Sequence, residues 1–124
     1  MAKKILLVDD SRTVRQQVGI TLTEAGYQTV EAENGQQAIS VLQTNEDVAM
    51  IIADVNMPVM NGIEMLWRMK NTNTAPGVPI VMLTTEGQAE LIDEAKKAGA
   101  KGWIIKPFKP DLLVNAVKKL AGSP

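Results

Sequence analysis

Met50-Ile51-Ile52-Ala53-Asp54-Val55-Asn56-Met57-Pro58 is the stretch on which the fold turns: an apolar run of β-formers that stops at one carboxylate and passes into a turn closed by proline. A run this uniformly apolar reads as a strand buried on both faces, which suits the middle of a parallel sheet. Asp54 then stands at the carboxyl end of that strand, where open α/β sheets keep their sites. Aspartate also starts turns for purely local reasons. Taken alone, Asp54 carries both readings, and the flanking chain decides between them.

Upstream, Ile5-Leu6-Leu7-Val8 is a second apolar strand, and it too stops at carboxylates, Asp9 and Asp10. Ser11 can cap a helix whose apolar stripe is Val14, Val18, Leu22 and Ala25, with Gly26 as its stop. Residues 27–32 make a weaker strand, and Asn34-Gly35 opens a helix with Ala38, Val41 and Leu42 inward. Downstream, Asn61-Gly62 leads into a helix carrying Ile63, Leu66 and Trp67 on one side, followed by a polar loop over 71–77. Residues 79–83 form a fourth strand ending at Thr84-Thr85-Glu86, and a helix from about Gln88 to Ala98 closes at Gly99. Gly102-Trp103-Ile104-Ile105 is a fifth strand ending at Lys106-Pro107. The last helix, from about Pro110 to Leu120, turns Leu113, Val117 and Leu120 inward and sets Lys118 and Lys119 at its negative end.

Strands alternating with helices through short loops predict an α/β fold: one doubly wound (βα)5 domain with a five-stranded parallel sheet. Right-handed crossovers leave few topologies for so small a unit, and the flavodoxin-like order 2-1-3-4-5 is the one expected. The 124 residues and 45% hydrophobic content suit a single domain over 1–124, with Gly122-Ser123-Pro124 as a short tail and no output domain expected after it. A net charge of −1 gives no general pull toward nucleic acid. With no cysteine and no histidine the chain has no disulfide, no Cys nucleophile, no Ser-His catalysis and no phosphohistidine of its own. No apolar run approaches the roughly 20 residues of a membrane span, and Met1-Ala2-Lys3-Lys4 shows no cleavage pattern. A cytoplasmic location is expected.

Strand ends on one rim of a parallel sheet share a side, so Asp9, Asp10, Asp54, Thr84 and Lys106 are expected to converge. A like-charge pair about 4 Å apart costs about 4 kcal/mol at an effective dielectric near 20. Three such carboxylates therefore call for a proton or a hard divalent cation. Mg2+ suits the set because it accepts one or two carboxylates and keeps waters that phosphate oxygens replace. A cation, the Lys106 ammonium and the Thr84 hydroxyl around a nucleophilic Asp54 are what a transferring phosphoryl group requires. Each residue has an ordinary reading as well: helix capping for Asp9 and Asp10, a turn for Thr84, a solvated charge for Lys106, core for Trp103. Those readings leave unexplained why all fall at corresponding points of their strand–helix units.

The ordered set Val8-Asp9-Asp10-Ser11, Asp54 through Gly62, Met82-Leu83-Thr84-Thr85-Glu86 and Lys106-Pro107-Phe108 resembles the receiver domain of two-component response regulators, in particular the stand-alone chemotaxis type. The resemblance runs from Lys4 to about Leu120. It implies that Asp54 accepts a phosphoryl group from a partner histidine kinase. It further implies Mg2+ held by Asp10, Asp54 and the Asn56 backbone carbonyl, with Asp9 acting mainly through water. Lys106 would contact phosphoryl oxygens, with its bond to Pro107 cis. Thr84 and Trp103 would form the switch, and Asn56 and Glu86 would set a short phosphoryl lifetime. The implied chain is no enzyme beyond its own phosphorylation and dephosphorylation, and a monomer until phosphorylated. It binds a downstream protein through the face of its fourth helix, fifth strand and fifth helix, and no nucleic acid. Two positions depart from the pattern: 103 is commonly Tyr or Phe, and 61 is often Asp.

Three rivals share parts of the pattern. A flavodoxin-like nucleotide or flavin module wants a Gly- or Ser/Thr-rich phosphate loop where Asp9-Asp10 stands. An aspartyl phosphatase needs nucleophile and acid two residues apart after the first strand. A phosphate sink would use the same receiver chemistry without an output target.

Overall fold

The computed structural model describes residues 2–124. Along the chain run β1 (Lys4–Val8), α1 (Arg12–Glu24), β2 (Gln28–Ala32), α2 (Gly35–Thr44), β3 (Val48–Ala53), α3 (Gly62–Thr72), β4 (Ile80–Thr84), α4 (Ala89–Lys97), β5 (Gly102–Ile105) and α5 (Pro110–Ala121). The strands form one sheet in the order β2-β1-β3-β4-β5, every pair parallel.

Because successive strand residues point to opposite faces, the apolar runs feed two separate cores. Leu6, Val8, Ile51, Ala53, Ile80 and Met82 meet residues of α2, α3 and α4 on one face. Ile5, Leu7, Met50, Ile52, Val81 and Leu83 meet Val18 and Leu22 of α1 and Leu113 and Val117 of α5 on the other. Double burial explains why the central strands read as continuous apolar runs.

Three caps follow from short polar side chains just outside the helices. Ser11 Oγ accepts from the Val14 amide, and Asn34 Oδ1 from the Gln37 amide. Asn61 and Glu64 complete a reciprocal capping box, which gives the Asn at position 61 a structural use. The α3 N-terminus also lies tight under the site: a Cβ on Gly62 would sit 2.1 Å from the Asp54 carbonyl oxygen. Only glycine fits there.

Several boundaries differ from expectation. The helix α3 runs through Thr72 rather than yielding to a loop at Asn71, because buried Met69 anchors its last turn. Its stop is Asn73 at φ 54, a left-handed position that asparagine tolerates. The strand β3 begins at Val48, two residues before Met50, since Val48 pairs with Lys4. Val41, Trp67 and Leu120, expected inward, lie half-buried at the core margins. No helix among the described residues is long and apolar enough to cross a membrane.

Candidate functional site

Register assembles the site. Val8 lies beside Ala53, and the Asp54 amide donates to the Val8 carbonyl at 2.9 Å, so Asp9 and Asp54 leave neighbouring strands side by side. Thr84 pairs with Ile105, so Lys106 emerges one residue later on the same rim. Lys106 Nζ reaches across β4 and donates to Asp9 Oδ2 at 2.7 Å and to Asp54 Oδ2 at 2.8 Å. Asp10 completes the cluster from the exposed side: carboxylate oxygens of Asp9, Asp10 and Asp54 all lie within 4.8 Å of one another.

Asp54 makes a turn contact and a rim contact at once. Its Oδ1 accepts from the Val55 amide at 2.7 Å, in the manner of a turn aspartate, while its Oδ2 faces Lys106. The carboxylate is therefore aimed by its own loop at the rim, with its side chain only 10% exposed. Burial pushes the Asp9 carboxyl above its ordinary value, and the hydrogen bonds from Lys106 and the Ser11 amide reverse only part of that. For Lys106 burial acts to lower the value, yet hydrogen bonds to Asp54 and Asp9 outweigh it and hold the ammonium above the ordinary lysine range.

Three close carboxylates against one ammonium leave excess negative charge, and all-oxygen donors suit a hard divalent cation rather than a thiophilic metal. The residues present therefore fit a hard divalent cation. A carboxylate oxygen backed by a cation site and an amine is also a competent phosphoryl acceptor.

Thr84 is wholly buried at the end of β4, and its hydroxyl accepts from the Glu86 amide at 3.3 Å. Among the hydrogen bonds described, none joins it to Asp54. Trp103 is half-buried against the core, and its indole N–H donates to the Glu86 carbonyl at 2.7 Å. The larger aromatic at this position thus finds a partner for its N–H on the β4–α4 loop. Asn56 Nδ2 donates to Glu86 Oε1 at 2.8 Å, tying the loop after β3 to the loop after β4. The Lys106–Pro107 peptide is cis.

Sequence reasoning passed over Arg15, which is 8% exposed and hydrogen-bonded to the Asp9 carbonyl and to Glu31. A signal was available. Arg15, Val18 and Leu22 fall at i, i+3 and i+7, so a charge sits on the buried stripe of α1.

Comparison with known proteins agrees with this geometry. Residues 5–118 match the family described as "Response regulator receiver domain". A chemotaxis protein CheY homolog of Campylobacter jejuni is 41% identical over 121 residues, covering 97% of this chain and 93% of its own length. Chemotaxis protein CheY1 of Helicobacter pylori is 40% identical, with 97% and 98% covered. The structure of Vibrio cholerae chemotaxis protein CheY4 superposes with a TM-score of 0.89 at 40% identity, covering 97% of this chain and 99% of that one.

Proposed function

The chain belongs to the response regulator receiver domain family, and on that premise we propose that it is a phosphoryl-activated switch in cytoplasmic two-component signalling, charged by a histidine kinase. One observation carries the reading: a single ammonium, Lys106 Nζ, bridges Asp9 and Asp54 within an acidic cluster fit for a divalent cation. An Asp54 oxygen attacks phosphorus, the P–N bond to the donor histidine breaks, and a P–O bond to Asp54 forms. Asp9, Asp10, Asp54 and the Asn56 backbone carbonyl would hold Mg2+, which when bound offsets the charge of carboxylates and phosphoryl oxygens. Lys106 then exchanges an Asp54 oxygen for a phosphoryl oxygen. The reading is tested by mass mapping after exposure to Mg2+ and a small acyl phosphate, with one added phosphoryl group at Asp54 the expected result.

Output runs through the β4–α4 loop. Thr84 leaves the Glu86 amide for the phosphoryl group, and Trp103, bonded to the Glu86 carbonyl, follows that loop. The helix α4 suits a movable element: Ala95 is its one buried residue and no side chain caps its start. The target is a protein that docks on the face of α4, β5 and α5. The names borne by the Campylobacter, Helicobacter and Vibrio relatives favour chemotaxis or another control of motility as the pathway.

The Asn56–Glu86 bond is exposed and joins the loops that follow β3 and β4, two residues beyond Asp54 and Thr84, where solvent can reach the phosphoryl group. These polar groups orient the hydrolytic water. Asn56→Ala and Glu86→Ala are each expected to lengthen the phosphoryl lifetime about three- to tenfold, less than a full general base supplies. Decay of the labelled protein after donor removal measures it. Faster decay in both variants would mean that the pair shields the phosphoryl group instead.

A further inference from the structure

We propose that Arg15 is a positioning residue that holds the β1–α1 turn so that Asp9 and Asp10 face the metal, an inference that rests on the Mg2+ reading of the acidic cluster. The need for it arises in the sheet. The Asp9 amide still donates to the Ala32 carbonyl at 3.1 Å, the last rung between β1 and β2. In a parallel ladder the Asp9 carbonyl points to the same side and would seek the next amides of β2. The next amide in that pattern belongs to Asn34, which has left the strand to serve as the N-cap of α2. A buried carbonyl without a partner is costly, and a turn carrying one shifts to find water.

Arg15 fills the vacancy from α1. Its Nη1 donates to the Asp9 carbonyl and its Nε donates to Glu31 Oε1 at 2.8 Å, so one planar guanidinium ties the end of β1 to β2. The Asp9 side chain is fixed from the other direction, its Oδ1 accepting from the Ser11 amide at 2.9 Å. With backbone and Oδ1 both held, Oδ2 is left to Lys106, which also holds Asp54. Arg15 touches none of the reacting atoms. It acts through the turn that carries two of the three acids.

The sign of the metal effect separates positioning from charge. Arg15→Met removes a cation near a cation site, so Coulomb's law alone predicts tighter Mg2+ binding. Positioning predicts the reverse, a loss of about tenfold or more, the usual effect of removing an outer-shell partner. Calorimetric titration with MgCl2 reads the affinity. Hydrogen exchange of the Asp9 and Ser11 amides, which donate to the Ala32 carbonyl and to Asp9 Oδ1, is measured on the metal-free protein, reads the turn itself and is expected to quicken at least about tenfold in Arg15→Met. Arg15→Lys keeps the charge but reaches one acceptor at a time, and about a threefold weakening is expected should Arg15→Met fail to fold. Mg2+ affinity equal to or tighter than wild type in the folded variants overturns the proposal. Unchanged exchange of the two amides overturns the bracing alone, whereas quickened exchange in Arg15→Met together with a wild type that takes up no Mg2+ places the failure in the metal reading.

Discussion

Given Mg2+ and a small acyl phosphate, Asp54→Asn is expected to take up no phosphoryl group, a loss of at least about a hundredfold against wild type, while folding normally. The amide removes the nucleophilic oxygen anion and changes little else. Its oxygen can still accept from the Val55 amide, the 2.7 Å contact that shapes the loop. Its NH2 group then faces Lys106 and offers that ammonium no acceptor, but Lys106 keeps Asp9 at 2.7 Å. One like charge leaves a cluster whose oxygens lie within 4.8 Å of one another. The melting temperature is therefore expected to match wild type within a few degrees or to exceed it. Intact-mass measurement and peptide mapping check the uptake, and thermal unfolding checks the fold. A stable mark on Asp54→Asn at the wild-type level would move the acceptor elsewhere, and with it the whole reading of the pocket.

Much of this was legible because strand ends are legible. Apolar runs stopping at Asp9, Asp54, Thr84 and Lys106 put chemistry at one rim before any coordinate was known, and the register brings Asp9, Asp54 and Lys106 into direct contact. Loop conformation was not legible. The Asn56–Glu86 bond joins residues 30 apart, and nothing local to either predicts that the two loops lean together. The end of α3 was misplaced for a similar reason, since the composition of residues 71–77 says loop while the packing of Met69 extends the helix. Arg15 was missed because the apolar stripe was read through Val14 and not through its neighbour. In the fold Arg15 is buried and Val14 only partly so. A charge on a buried stripe is affordable where it meets a stranded carbonyl, and strand ends near a site supply such carbonyls.

Lys106→Met is expected to destabilise the metal-free protein and to tighten its hold on Mg2+, two effects with one cause. The ammonium sits 2.7 Å from Asp9 and 2.8 Å from Asp54, with its side chain 15% exposed. Breaking a fully buried pair costs about 3–5 kcal/mol, and an exposed one about 0–1. A rim site screened on one side falls between, so a loss of about 1–3 kcal/mol is expected in chelator. Hydrogen bonds to both acids raise the Lys106 pKa above its ordinary 10.5 despite burial. A raised lysine value means that these pairs favour the fold at full strength below about pH 10.5, and that their contribution fades as pH climbs through the folded value. The stability gap between wild type and Lys106→Met should therefore hold through neutral pH and close in strong alkali. Tyr27, whose pKa burial also raises, titrates in both proteins and cancels in the difference. Mg2+ narrows that gap, because wild type must give up Lys106 contacts to bind it and the variant has none to give up. An affinity about tenfold tighter adds about 1.4 kcal/mol of Mg2+-linked stability to the variant at saturation. Urea unfolding in chelator and in MgCl2, from neutral pH to about pH 11.5, measures both effects. A gap that ignores pH, or Mg2+ that binds the variant more weakly, would show that Lys106 supports the acid cluster instead of competing for it.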